Sequence, residues 1–447
     1  MRFRRAHRRE TDKTPSGRFV SSVTDNVTAT TLAPALVLGL LAFAFNPSFV
    51  GASSVVLIVI LVWLGRREPV IDNPYFLFLV TPISLLMYSD RVSAQFLPPM
   101  DGVVQFWIAV GNFSFLAGLL FIKSVSPSVT PARGGDYSYV AILTLGLIPH
   151  ILGVLNAGFP ILSSDVNGAR NAYTLPIIGQ FSVFLPLTIL IAFQRKNVKL
   201  IMYSVVLNVF LSVMMASKFS ILYTFLFFLY AYARYDGRAL FGWRPFHLVM
   251  IGVVIIPFIF EFIFSAREAG VQSDYYWRQQ VNFKYGALDR FGDFTYLPYM
   301  YLTTPWSNLS YLFELEPYLT YGARSIHSLL SVFQLDELVS LPPLKVRNQV
   351  FNTHAYLADF FVDFGVFGVV LLSFVLGAIV KWVYVGSLKS SDALIGGVWV
   401  SFAFATFNLF FSNHFTGVGY PVVTLVLFSA YRLVHRVLIG AARNAST

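Results

Sequence analysis

The chain has 447 residues, of which 56% are hydrophobic and only 12% are charged, and its mean hydropathy is +0.66. This composition excludes an ordinary soluble globular protein and indicates a polytopic integral membrane protein. The absence of cysteine excludes disulfides, thiolate nucleophiles and Cys-ligated zinc. The net charge of +10 does not indicate nucleic-acid binding, because basic loops facing anionic lipid headgroups account for it.

The N-terminal arm, residues 1–30, is polar and strongly basic and precedes the first apolar run. A basic arm in this position orients a first membrane helix, so we predict that it stays in the cytoplasm. The apolar runs that follow recur at the length needed to cross about 30 Å of hydrocarbon. We predict about twelve transmembrane helices, at residues 31–46, 52–65, 72–88, 103–122, 138–156, 175–193, 200–216, 219–233, 247–264, 356–380, 394–411 and 419–435.

The basic residues favour an even number of helices with both termini in the cytoplasm. Short cytoplasmic loops carry the excess of Lys and Arg in membrane proteins, and with this topology every inner loop contains such a residue. The predicted organisation is a cytoplasmic arm at 1–30, transmembrane helices 1–9 within 31–264, a large periplasmic loop at 265–355, helices 10–12 within 356–435, and a cytoplasmic tail at 436–447.

The predicted periplasmic loop is the only long polar interruption in the chain, and it is rich in arginine and aromatic residues. Its prolines predict short interfacial helices broken by turns rather than a separate soluble domain. The chain has no Gly-rich phosphate loop, no dinucleotide fingerprint, no HExxH motif and no Asp-x-Asp pair. A soluble nucleotide donor and a metal site are therefore not expected.

Ionisable residues at the edges of the apolar segments are concentrated on the predicted outer side, at His150, Lys218, Glu261, Asp359 and Asp363. Such groups are costly in a membrane and are usually functional. A transporter would need them near the midplane and in both halves of the chain. The distribution therefore favours chemistry at the outer leaflet over transport.

Two carboxylates and a histidine stand where the long loop re-enters the membrane. Asp359 and Asp363 are four residues apart and share one helical face, so they are predicted to face a common cavity. The alternative is structural: one carboxylate caps or pairs with the loop, and the other orders a kink at Phe364–Gly365. His354 precedes them, and an imidazole suits proton transfer near neutral pH, although a lone interfacial histidine is often only structural.

Several short motifs then point to one family. The segment GFPILSSD at 158–165 is followed by Ala169-Arg170, and the turn Ala216-Ser217-Lys218 precedes the eighth apolar segment. Asn352-Thr353-His354 leads into Asp359, then VDFGVFG at 362–368 and Gly377. With the topology and the large late outer loop, this pattern resembles the Wzy-type O-antigen polymerases, which join oligosaccharide repeat units. Members of that family often carry arginine where this chain has Lys218, and an ammonium group lacks the bidentate fork of a guanidinium.

The resemblance implies an all-α polytopic, GT-C-like glycosyltransferase of the bacterial inner membrane with a periplasmic active site. Its substrates would be undecaprenyl-pyrophosphate-linked oligosaccharides, and it would need no nucleotide, cofactor or metal. Its product would be O-antigen of lipopolysaccharide or a related surface polysaccharide. Expected partners are membrane lipid, a flippase and a chain-length regulator, but not nucleic acid.

The same resemblance, joined to the chemistry of glycosyl transfer, suggests residue roles. Cationic donors stabilise the departing pyrophosphate, and the residues expected to do so are Arg170, Lys218, Arg267 and Arg290. A base takes the proton of the attacking sugar hydroxyl, and the candidates in order are His354, Asp359 and Asp363. The residues expected to bind the glycan are Tyr276, Trp277, Arg278, Arg324 and Asn352. Direct displacement would invert the anomeric centre.

Two alternatives stay open at this point. A lipid-linked oligosaccharide flippase also has about twelve helices, but polar groups through both leaflets and shorter outer loops are expected of it. An O-antigen ligase shares the outer placement of charge and differs mainly in its acceptor. A membrane acyltransferase would need an inner His-Asp pair, which the sequence does not show.

Overall fold

A computed structural model describes residues 48–68, 72–89, 97–123, 137–175, 177–235, 293–315, 318–332, 341–347, 352–415 and 420–445, together with isolated residues between these ranges. These ranges contain helices and no strand. The α-helices are α1 (Phe49–Gly65), α2 (Pro74–Phe78), α3 (Val80–Ser89), α4 (Gly102–Phe121), α5 (Tyr139–Ala157), α6 (Val166–Tyr173), α7 (Phe184–Gln194), α8 (Val198–Met214), α9 (Lys218–Arg234), α10 (Asp293–Glu314), α11 (Ala323–Val332), α12 (Leu357–Leu388), α13 (Ala393–Phe407) and α14 (Tyr420–Ala445). Three 3₁₀ turns lie at Pro160–Leu162, Ile178–Val183 and Asn408–Phe410.

The helices are those of a multi-pass membrane protein. In the described part of the chain, five segments are long and apolar enough to cross a membrane: Gly102–Phe121, Tyr139–Leu162, Leu357–Leu388, Ala393–Phe410 and Tyr420–Leu438. A sixth crossing results if α6 and the bent helix Ile178–Gln194 form one span, and Phe49–Gly65, Pro74–Ser89 and Val198–Met214 are shorter apolar helices. Helices therefore occupy most of the predicted segments, whereas segments 31–46 and 247–264 lie largely outside the described residues. The count of twelve stays a prediction.

Helices α4 and α12 pack in close contact with each other. A Cβ atom added at Gly118 would lie 2.0 Å from the carbonyl oxygen of Phe374, and one added at Gly377 would lie 2.2 Å from that of Phe115. Only glycine permits this approach. In lipid, no hydrophobic driving force brings helices together, and small residues let their backbones come close enough to pack tightly. One face of α12 is thereby held against α4, while Phe367, Leu371, Val375, Ile379 and Trp382 on another face stay exposed.

One end of the bundle gathers the basic residues of the short loops, and we call it the basic end. Arg234 donates to the carbonyl oxygen of Leu388 there (3.0 Å), and Arg432 lies 3.1 Å from the Asp392 carboxylate. Slightly deeper, the buried Lys381 Nζ lies 2.5 Å from Glu68 Oε1. A buried charge is tolerated only when it is paired, so this ion pair ties α12 to the loop after α1.

Helix α12 is broken at the opposite end, as the sequence predicts for Phe364–Gly365. Phe364 has φ −141° and ψ 19°, and Gly365 has φ 60° and ψ −148°, a region that only glycine adopts readily. The break frees the carbonyls of Val362 and Asp363, which accept hydrogen bonds from the amides of Thr320 (2.9 Å) and Tyr321 (3.0 Å). The break is thus the point where the segment before α11 is attached.

The segment predicted as a periplasmic loop contains α10 and α11. Helix α11 is short, as expected, whereas α10 runs for 22 residues through Pro298 and Pro305. Its face is buried against the bundle, and Trp306 Nε1 donates to Ser84 Oγ of α3 at 2.9 Å. The packing of this face stabilises α10 by more than the loss of the hydrogen bonds that the two prolines remove. Because the prolines alone indicate helix ends, the sequence predicts shorter helices here than the structure has.

Candidate functional site

A cavity of about 530 Å³ opens at the end of the bundle opposite the basic end. Three segments form its wall: the loop 341–347, the chain from 352 to 359, and the turn after α13. We call it the His354 cavity. It is lined by Pro343, Leu344, Val346, Asn352, Thr353, His354, Ala355, Ala358, Asp359, Ser412 and Asn413. Three residues predicted from the sequence, Asn352, His354 and Asp359, therefore meet at one cavity.

His354 is only 8% exposed and is held in one orientation. Its Nε2 lies 2.9 Å from the carbonyl oxygen of Lys345. Because a carbonyl only accepts hydrogen bonds, Nε2 carries the proton and Nδ1 is the ring's acceptor. Burial lowers the pKa of His354 to about 4, and the positive charge of Arg324 acts in the same direction. The imidazole is therefore neutral near pH 7, with a lone pair on Nδ1.

Arg324, in the first turn of α11, joins the charged groups around this cavity. Its guanidinium interacts electrostatically with Asp359 and Asp363, and it donates through Nη2 to the carbonyl oxygen of Pro342. Burial lowers its pKa, while the two carboxylates act to raise it. Its Nε is buried and has no hydrogen-bond partner among the described residues. A buried donor without an acceptor is costly, so this guanidinium has hydrogen-bonding capacity that the described residues do not fill.

Asp363 is fully buried, and its carboxylate is saturated with hydrogen bonds. Oδ1 accepts from the Thr320 hydroxyl (2.5 Å) and from the amide of Arg324 (3.0 Å). Oδ2 accepts from the amide of Ser325 (2.8 Å) and from its hydroxyl (2.5 Å). This is the capping arrangement at a helix N-terminus, where free amides and the helix dipole favour an anion. Of the two readings that the sequence leaves open, this geometry fits the structural one.

Asn308 of α10 was not predicted from the sequence, and it holds the His354 loop. It is fully buried; its Nδ2 donates to the carbonyl oxygen of Thr353 (2.8 Å), and its Oδ1 accepts from the amide of Arg347 (3.0 Å). The Asn308 side chain thus joins two loop segments, one that carries His354 and one that carries its carbonyl partner, Lys345. A single asparagine inside an apolar helix carries no signal that separates this role from ordinary core packing.

Arg170 and Lys218 belong to a second group on the other side of the turn after α13, and neither lines the His354 cavity. Lys218 is 5% exposed, donates to the Tyr301 hydroxyl and lies 3.8 Å from the centre of that ring. Arg170 interacts electrostatically with Tyr420, whose hydroxyl hydrogen-bonds Ser220. Both predicted cations therefore lie at the same end of the bundle as His354 but in a separate cluster.

His414, also not predicted, lies beside this second group. It is 2% exposed, it packs on the rings of Phe219 (5.6 Å) and Phe404 (5.2 Å), and neither ring nitrogen has a partner among the described residues. Burial lowers its pKa to about 4. The sequence signal that could have identified His414 is its position next to Asn413, in the turn between the last two apolar segments. The pattern resembles that of His354, which follows Asn352 by two residues.

The remaining predicted residues lie outside the described part of the chain: Arg267, Tyr276, Trp277, Arg278 and Arg290. Asn352 is exposed at the rim of the His354 cavity. Among the described residues, no group of three or more His, Asp or Glu side chains is arranged to hold a metal ion.

Comparison with known proteins gives no relative. No family model, no curated protein and no solved structure matches this chain. The class that the fold defines is therefore a helical multi-pass membrane protein with a polar, partly buried cavity at the end remote from its basic loops.

Proposed function

We propose that this protein is a glycosyltransferase that polymerises undecaprenyl-pyrophosphate-linked oligosaccharide units at the periplasmic face of a bacterial inner membrane. One observation carries the proposal: a neutral, oriented imidazole and a carboxylate share a cavity, and a guanidinium with an unpartnered donor interacts with both. In this proposal the chain has about twelve crossings in a GT-C-like arrangement, with both termini in the cytoplasm.

The reaction would exchange two bonds at the anomeric carbon of the donor sugar. The bond from this carbon to the pyrophosphate oxygen breaks, and a bond to the acceptor hydroxyl oxygen forms from the opposite face, which inverts the configuration. His354 Nδ1 takes the hydroxyl proton, because Nε2 already donates to Lys345. Negative charge grows on the departing pyrophosphate, and donors fixed at that point lower the barrier.

Arg324 is our first candidate for that donor, because its Nε has no hydrogen-bond partner among the described residues. Asp359 would orient the guanidinium and the acceptor sugar, whereas Asp363 would act only by holding the start of α11. Arg170 and Lys218 would contact the second lipid-linked substrate or its phosphate. Arg267 and Arg290 keep their proposed role at the pyrophosphate, and Asn352, Tyr276, Trp277 and Arg278 keep theirs at the glycan.

The test is deletion of the gene in its host, followed by electrophoresis of the surface glycan. Collapse of the ladder to single repeats supports polymerisation. Loss of even single repeats indicates the flippase instead, and accumulation of long lipid-linked polymer indicates the ligase.

Complementation with variants then locates the site. His354→Gln should restore no ladder, whereas His327→Gln, a histidine of α11 that does not line the cavity, should restore it fully. Both variants must be present in the membrane at wild-type amounts. A full ladder with His354→Gln would remove the imidazole from the mechanism.

A further inference from the structure

A second cavity, of about 310 Å³, lies at the basic end between α12, α13 and α14. Its lining is mostly apolar, and two of its residues, Lys389 and Arg432, are cationic. It is far from the His354 cavity, because the regular part of α12 that follows the break at Gly365 runs on to Leu388 and rises about 1.5 Å per residue. The proposal that follows is independent of the proposed catalytic function.

The residues that line this cavity change from apolar to cationic toward the basic end. On α12 the residues Trp382, Gly386 and Lys389 are spaced four and three apart, so they share one face. On α14, Leu425, Ser429 and Arg432 follow the same spacing. Both helices run toward the basic end, so each stripe passes from an apolar residue to a cation over about 10 Å.

This gradient matches one kind of occupant. An acyl chain fits among the apolar residues, and the phosphate of the same molecule reaches Lys389 and Arg432 at the rim. Trp382 is 65% exposed on the outer surface of α12, a position where it contacts lipid. Basic pockets between membrane helices recognise anionic headgroups. We infer that this groove binds an anionic phospholipid, with its phosphate at Lys389 and Arg432 and one acyl chain between α12 and α14.

The local charges leave a net attraction for the phosphate. Asp392 is the acidic group here, and it is already occupied by the Tyr137 hydroxyl (3.0 Å), the Leu394 amide (2.9 Å) and Arg432 Nε (3.1 Å). A guanidinium carries further donors on its other two nitrogens. Lys389 is exposed and adds a second cation. Among the described residues, the groove lining therefore holds two cations and no carboxylate, and the neighbouring Asp392 is already engaged.

The experiment uses the full chain reconstituted in phosphatidylcholine vesicles and measures tryptophan fluorescence. Brominated phosphatidylglycerol or brominated phosphatidylcholine is added at equal mole fraction, and bromine quenches a tryptophan only on contact. The difference between wild type and Trp382→Phe isolates the signal of Trp382. We expect the anionic lipid to quench Trp382 more strongly than the zwitterionic lipid.

Three variants sharpen the result. Lys389→Gln should lower the preference for phosphatidylglycerol about fivefold, whereas Lys199→Gln, an exposed lysine at the same end that does not line the groove, should leave it unchanged. Gly386→Leu should abolish the preference, because a Cβ atom at Gly386 meets nothing within 4 Å and the leucine side chain would fill the groove. Equal quenching by the two lipids, or an unchanged preference in both Lys389→Gln and Gly386→Leu, would overturn the inference.

Discussion

Removing the Asp363 carboxylate should detach the start of α11 from α12. In Asp363→Ala, the amides of the half-buried Arg324 and Ser325 lose the buried carboxylate that accepts from them, whereas the two hydroxyl groups can rotate to other acceptors. Each buried amide left without a partner costs about 1–3 kcal/mol, so the two together cost about 2–6 kcal/mol. Asp363→Asn keeps one acceptor oxygen and should cost about half as much.

The matched control is Asp101→Ala at the start of α4. Asp101 accepts from the amide of Val103 at 2.8 Å, but this cap is exposed, so water can replace the carboxylate. Loss of an exposed cap costs about 1 kcal/mol. Both substitutions remove an aspartate that accepts from amides at a helix start, but Asp101 caps its own helix through one exposed bond, whereas Asp363 caps a neighbouring helix through four bonds.

Two measurements test this prediction. Unfolding in mixed detergent micelles gives the free energy of each variant, and hydrogen exchange across residues 320–332 reports whether α11 has come loose. Asp363→Ala should speed exchange in this region, and Asp101→Ala should not. If Asp363→Ala loses no more stability than Asp101→Ala and leaves exchange at 320–332 unchanged, the capping role is wrong.

Further predictions concern protonation, the buried ion pair and the helix break. Burial lowers the pKa of His354 from 6.5 to about 4 in the folded protein. Between these pH values the unfolded chain binds a proton at His354 that the folded protein does not bind. The free energy of unfolding should therefore fall by about 3 kcal/mol as pH drops from 6.5 to 4. Unfolding free energies measured against pH should show a loss about 3 kcal/mol larger in wild type than in His354→Gln, because His414 contributes its own loss in both proteins; equal pH dependence of the two would contradict this. Lys381→Met should cost about 3–5 kcal/mol by removing the cation that balances the buried Glu68 carboxylate, and adding Glu68→Gln should recover most of the loss. The same unfolding assay checks this, and a double variant no better than the single one would refute the ion-pair account. Gly365→Ala should cost about 1–3 kcal/mol through its positive φ alone, since a Cβ atom there meets nothing, whereas Gly386→Ala, in regular helix, should be neutral or stabilising. Equal effects of the two glycine substitutions would refute the role of backbone strain.

The apolar helices and the helix break were predictable because each depends on a local signal. Runs of apolar residues give the spans, and glycine after Phe364 marks the break in α12. The approach of Asn352, His354 and Asp359 was also predictable, since they lie within eight residues at a membrane boundary. Short sequence separation places side chains together whatever the rest of the fold does.

Contacts between distant segments were not predictable in the same way. The partner of His354 is a backbone carbonyl, at Lys345, which no side-chain pattern reveals. Asn308 joins two loops through an amide that sequence alone cannot distinguish from a core residue. Arg170 and Lys218 lie at the same end of the bundle as His354, but their distance from His354 depends on how α6 and α9 pack, and hydropathy does not determine packing.

The attachment at the break in α12 bears on how such a chain can diversify. Residues 320–325 are attached to α12 by two main-chain oxygens and one carboxylate, so the short connection between α10 and α11 can change in length or composition at small entropic cost. The attachment of α11 to α12 would keep its geometry while the sequence of this connection changes. If the chain acts on glycans as we propose, variation in this connection would alter substrate preference while the attachment of α11 to α12 stays the same.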